Sequence, residues 1–164
     1  MSNEVKGLLS ILFFLCGGIF SLFAQPTEPF PMEKPESYKN KTLGSEKTGQ
    51  KKFKAPRRFI QNTVTHYNWY FNANTKLNMV LERAKIAHND DYSDLLSFYP
   101  YTANRILSDS LELDSVIQKS STGILIHDLR NDWTDNLLLL IGKAYFYKME
   151  LDSAYNSFQF INYL

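Results

Sequence analysis

Apolar residues recur at spacings of three and four along residues 57–88. Phe59, Ile60, Val64, Tyr67, Phe71, Leu77, Val80, Leu81, Ala84 and Ala87 carry the pattern, with no proline or glycine in the stretch. That period predicts amphipathic helix. Asn72-Ala73-Asn74 predicts a tight turn dividing it into two helices, with Thr75 capping the second, and Asn89-Asp90-Asp91 ends the run. Residues 92–109 read as an irregular connector, because Tyr99 precedes Pro100 and is biased away from helix. A further helix starts at Asp109 or Ser110 and runs through Leu113, Val116, Ile117 and Ile124 to His127, weakened locally by Gly123. Residues 128–132 form the next connector, with Asp132 as the cap candidate before Trp133. The fold class this predicts is all-α.

The last segment has a more specific spacing. Tetratricopeptide repeats pair two helices over 34 residues with fixed small and large positions. With Gly142 as the small residue of the first helix, Leu138 and Ile141 occupy the preceding apolar positions and Tyr145 follows three residues later. Ala154 falls twelve residues after Gly142, at the small position of the second helix, and Phe158 four residues further on at the aromatic position. Ile161 stands where alanine is commoner. The pattern predicts a repeat over about residues 135–164, with Gly142 and Ala154 allowing close backbone approach and Tyr145 and Phe158 filling the space between repeats. Phe158, Phe160, Ile161 and Leu164 leave its outer face apolar, where a terminal repeat is polar. The expectation is therefore a truncated N-terminal piece of a longer repeat protein.

The N-terminal third has a different pattern. Residues 7–24 are apolar apart from Ser10 and Ser21, and they follow a short polar start that contains Lys6. This is the layout of an export signal, with Ala24 as the small residue before the cut. Lipid attachment at Cys16 is a second option, and retention as a membrane anchor a third. Gly17 suits attachment, whereas the bulky Leu15 does not. Residues 25–56 then hold five of the six prolines and few large apolar residues. They predict a disordered linker, stiff where proline is dense. The ordered domain is expected over residues 57–164.

The chain has 164 residues and a net charge of +1, unevenly spread. Residues 25–58 carry nine basic and four acidic groups; residues 59–164 carry eight and twelve. Lys47, Lys51, Lys52, Lys54, Arg57 and Arg58 concentrate the positive charge. Such a cluster suits a solvated linker or weak attraction to an anionic membrane. Nucleic acid is not expected for an exported chain with no base-reading module. With Cys16 the one cysteine, an internal disulfide is excluded.

No phosphate loop, HExxH or Gly-x-Ser-x-Gly motif occurs. His66 beside Tyr67 reads as a packed or surface histidine. His127-Asp128 could form an acid–base pair, but Asp128 more readily caps a helix or polarises a turn. Asp90, Asp91 and Asp94 lack the ligand number and glycine turn of a calcium loop. Tyr67, Trp69, Tyr70 and Phe71 read as core between helices, with a ligand platform as the other option. No catalytic residue, metal or cofactor is expected.

Two words carry a resemblance. One runs from Lys52-Phe53-Lys54-Ala55-Pro56-Arg57-Arg58 through Gln61-Asn62 and His66-Tyr67-Asn68 to Tyr70-Phe71-Asn72-Ala73-Asn74. The other is His127-Asp128-Leu129-Arg130-Asn131-Asp132-Trp133, leading into Leu140-Ile141-Gly142-Lys143-Ala144-Tyr145-Phe146. Together they resemble the N-terminus of the SprE/PorW family, long tetratricopeptide lipoproteins of the Bacteroidota type IX secretion system that are tied to gliding motility. The resemblance covers residues 52–164. It implies a non-catalytic scaffold at the periplasmic face of the outer membrane. Its partners would be other secretion-system proteins, its membrane association through a lipid anchor or those partners, and no small-molecule substrate is implied. A glycan-binding lipoprotein of the SusD type is the alternative, and it would need exposed aromatics such as Trp69 or Trp133.

Overall fold

The computed structural model describes residues 32–89, 92, 93, 95, 96 and 110–161. Helix α1 (Ala55–Val64) passes without interruption through a π-helical segment (Thr65–Tyr70) into α2 (Phe71–Ala87). Helices α3 (Ser110–Ile126), α4 (Thr134–Tyr147) and α5 (Leu151–Ile161) follow. The fold is all-α, and the described residues contain no strand. Each helix from α2 onward packs mainly on its sequence neighbour.

The predicted turn at residues 72–74 does not form. Ala73 is fully buried, and the Asn72 side chain donates back to the Asn68 carbonyl at 2.7 Å, inside the π segment. The interruption is in the helical pitch and lies a few residues earlier. A π turn closes i→i+5 bonds and turns less per residue than an α-helix. Six residues of it lag an ideal α-helix by roughly 100°, about one residue's rotation.

That lag sets what faces inward. Ala73, Leu77, Val80 and Ala84 of α2 are buried against Leu113 and Val116 of α3 and Leu140 and Ala144 of α4. On the same side, α1 turns inward Arg57 and Gln61, followed by Thr65 at the start of the π segment, and α1 buries no apolar residue. Phe59, Ile60 and Tyr67, which the period places with the core, are 72, 61 and 61 % exposed. A second cluster joins Ile124, Leu137, Leu138 and Ile141, covered by Trp69, Met32 and Phe160.

The α4–α5 turn is a Schellman motif with an unusual residue. Glu150 N–H bonds the Tyr145 carbonyl and Met149 N–H that of Phe146, both at 3.0 Å. Met149 takes φ 63°, where glycine is usual. Of the residues singled out by spacing, Leu138, Ile141, Gly142 and Ala154 are buried, and Tyr145 and Phe158 are half-buried. A Cβ at Gly142 would lie 2.4 Å from the Phe158 ring, so the missing side chain makes room for that ring, one turn beyond Ala154 on α5. Asp132 does not cap α4, because its carboxylate is turned back to Arg58 and Asn62.

Disorder expected across residues 25–56 gives way, over 32–54, to a strap lying on the helices. Two 3-10 turns, Glu36–Tyr38 and Ser45–Lys47, shape it. Its apolar anchors are the buried Leu43 and the half-buried Met32. Its polar anchors fall at the end of α3, where carbonyls lack helical partners, and on the connector that follows. Ser45 Oγ donates to the Leu125 carbonyl at 2.7 Å, and Leu129 N–H donates to Thr48 Oγ1 at 3.1 Å. Composition does not register these few side-chain-to-backbone bonds. The C-terminal end of the proposed repeat, residues 162–164, and the acidic Asp90, Asp91 and Asp94 lie outside the described residues.

Two substitutions test this packing. A Cβ at Gly44 would sit 2.3 Å from the Ile126 carbonyl oxygen, backbone that cannot swing aside. Gly44→Ala should free the strap, read as faster amide exchange over residues 43–51 while α4 stays protected. Gly142→Ala should lose about 1–2 kcal/mol to overpacking, net of its helix-propensity gain. That loss should shrink in a Phe158→Ala background, so a thermodynamic cycle should show coupling of about 1 kcal/mol. Additive melts would refute the glycine–ring contact.

Candidate functional site

The two sequence words far apart in the chain meet face to face. Residues 127–133 connect α3 to α4, and the inward polar side of α1 lies across them. Asp128 is at the centre, its side chain wholly buried. Arg130 closes a two-pronged ion pair on it, Nε to Oδ1 at 2.8 Å and Nη2 to Oδ2 at 2.9 Å. Arg57 Nη2 approaches Oδ2 at 3.5 Å. The Phe53 ring takes both guanidiniums on its face, at 5.3 Å for Arg130 and 5.8 Å for Arg57. Arg130 Nη2 also donates to the Lys51 carbonyl at 2.8 Å, fastening the strap to the same centre.

The contacts continue along α1 in register. Asp128 N–H donates to Gln61 Oε1 at 3.2 Å. Arg58 and Asn62 hold the two oxygens of Asp132, with Arg58 Nη2 at 2.6 Å and Asn62 Nδ2 at 2.7 Å. Asn131 Nδ2 donates to the buried Thr65 Oγ1 at 2.9 Å, and Asn131 Oδ1 accepts the Trp133 N–H at 2.9 Å. His66 stacks on Trp133 with ring centroids 4.0 Å apart, and Tyr70 leans on the same indole at 4.9 Å. Burial is affordable here because each charged or amide group has a partner.

The electrostatics suit a joint. The Arg130 guanidinium holds the Asp128 carboxyl below the ordinary aspartate range. Both its oxygens are engaged, so it offers no lone pair as a base. His127 is not its partner: the His127 Nδ1 is paired with the Gly123 carbonyl at 2.9 Å, and burial pushes its pKa down. Asp128 also accepts from Arg130 N–H at 3.2 Å, which makes it the organiser of a turn. Among the described residues no group of histidine, cysteine, aspartate and glutamate is placed to hold a metal.

The structure divides the aromatic group in two. Trp69 and Tyr70 turn inward, and a Cβ at Gly123 would lie 2.8 Å from Trp69 Cβ, so Gly123 makes room for the indole. Tyr67 and Phe71 turn to solvent. Both tryptophans are half-buried, Trp133 stacked on His66 and Trp69 packed on the second core cluster, which leaves neither as a flat exposed platform. Sequence reading missed the joining of the two words. The signal was there in their matched chemistry, arginines and amides in one against aspartates and an asparagine in the other. Cys16 and Ala24 lie outside the described residues.

The joint sets an acid profile. Folded His127 binds a proton less readily than unfolded His127, so its contribution is complete above about pH 6.5 and fades as pH falls below it. The contribution of Asp128 is complete above about pH 4 and fades below that, as the carboxylate is protonated. Urea melts from about pH 3 to 8 should show both losses on acidification. His127→Gln should remove the upper one. Asp128→Asn should remove the lower one and cost about 1–3 kcal/mol at neutral pH. An unchanged profile in Asp128→Asn would exclude the ion pair as a folding determinant.

No protein-family model, curated protein or solved structure matches the chain.

Proposed function

We propose that the chain is a non-catalytic scaffold of the type IX secretion machinery, presenting tetratricopeptide-like helices at the periplasmic face of the outer membrane. One observation supports this reading above the others. The two words that carry the resemblance, residues 52–74 and 127–133, form one continuous joint, as signature residues of a shared scaffold would. A joint of this kind fixes the angle between a leading helix and the helices stacked behind it. Chemistry at the joint is disfavoured, because its carboxylates are held by guanidinium and amide groups. Helices packed in sequence order, with large apolar side chains such as Tyr155 and Leu151 left at the surface of α5, suit binding of a partner protein.

The test is genetic. In a gliding Bacteroidota host, in-frame deletion of residues 55–161 from the chromosomal reading frame should abolish type IX export into the culture fluid and stop colony spreading. Cross-linked, affinity-tagged wild type should co-purify secretion components. Normal export and spreading in the deletion strain would sink the proposal.

A further inference from the structure

Helix α1 is amphipathic with its apolar side outward. On an α-helix, Arg57, Arg58, Gln61, Asn62 and Thr65 share one side, and all five contact the connector through hydrogen bonds or ion pairs. Phe59, Ile60 and, two turns on, Tyr67 fall on the opposite side, each more than 60 % exposed. Tertiary structure therefore uses the polar side of this helix and leaves an aromatic and aliphatic one in water.

The charge beside that face is distinctive. Lys51, Lys52 and Lys54 stand at the N-terminal end of α1, all exposed. The described structure pairs none of their ammonium groups with a carboxylate. The other cations of the cluster are engaged: Arg57 with Asp128, Arg58 with Asp132, and Lys47 Nζ with the Thr42 carbonyl. Three free ammonium groups next to exposed Phe59 and Ile60 match the two layers of an anionic bilayer surface, phosphate outside and acyl chain beneath. No described helix is long and apolar enough to cross a membrane, so the contact is one of lying on the surface. The apolar run at residues 7–24 has the layout of an export signal, which brings a chain to a membrane during synthesis.

We propose that the N-terminal end of α1, with Lys51, Lys52, Lys54, Phe59 and Ile60, docks on an anionic lipid surface. The lysines meet headgroup phosphates, and the two apolar side chains enter the boundary between headgroups and acyl chains. This is independent of the scaffold reading: it requires only that the chain meets a bilayer, and its test contains no secretion assay.

The test uses the full chain carrying Phe59→Trp, with the wild-type signal of Trp69 and Trp133 subtracted. Vesicles are either pure phosphatidylcholine or contain about one third phosphatidylglycerol, each with a spin-labelled quenching lipid. A local probe is needed because residues 7–24 can hold any variant on lipid. The expected result is quenching of the introduced indole on anionic vesicles, weakened by salt. Lys51→Glu, Lys52→Glu and Lys54→Glu together should raise the half-saturating anionic lipid on the order of 100-fold, about fivefold per lysine. Ile60→Ser should lower the quenching without altering the melt, because Ile60 lies outside the core. Quenching that is equal on neutral vesicles, absent on both, or indifferent to the lysine changes would overturn the proposal. So would a lipid-free blue shift that grows with protein concentration, which would assign the face to a second copy of the chain.

Discussion

A helix of constant pitch could not satisfy both halves of the segment from Ala55 to Ala87. With ideal α geometry, the side of α2 that carries Leu77 and Val80 and the side of α1 that carries Arg57 and Gln61 would point about 100° apart. The π segment at Thr65–Tyr70 absorbs the difference. It lets one uninterrupted helix contribute a hydrophobic face to the bundle and a polar face to the α3–α4 connector. A π turn also lines its residues up differently, which places Trp69 against Gly123 and His66 against Trp133 at the pivot itself.

The polar joint follows from that rotation. Asp128 is buried, and an isolated carboxylate there would be costly to desolvate; two guanidiniums and a backbone N–H make the site tolerable. The contribution of such a joint is in direction more than in strength, since replacing buried ion pairs with apolar residues is often neutral for stability. The exposed Arg58–Asp132 pair adds little energy by the same reasoning, yet it continues the register along the helix. Arg130 ties the strap to this centre through the Lys51 carbonyl, so the segment before α1, α1 itself and the connector share one fixed point.

Turning the polar side inward has a consequence on the opposite side of the molecule. Phe59, Ile60 and Tyr67 are left in water, the first two close in the chain to Lys51, Lys52 and Lys54 at the start of the helix. Single exposed apolar residues are ordinary, but several on one helical face beside a basic end form a surface with a chemical preference. The architecture thus has two faces of different character: a stacked helical array toward α5, and a basic, apolar leading helix at the other end.

The helical class, the ends of α3 and the α4–α5 hairpin were legible in the sequence, because apolar spacing and the small residues Gly142 and Ala154 are local signals that tertiary packing reinforced. The words that form the joint were also visible, as words. Their meeting was not, because pairing of Arg57 with Asp128 spans more than half of the described chain and leaves no periodic trace. The side of α1 that is buried could not be read either. Periodicity assumes one pitch, and the pitch changes at Thr65–Tyr70 only because tertiary contacts at Thr65, Trp69 and Trp133 favour it. The strap was misread for a related reason: composition measures how much apolar surface a segment can bury, whereas this one is held by a few bonds to the open end of another helix.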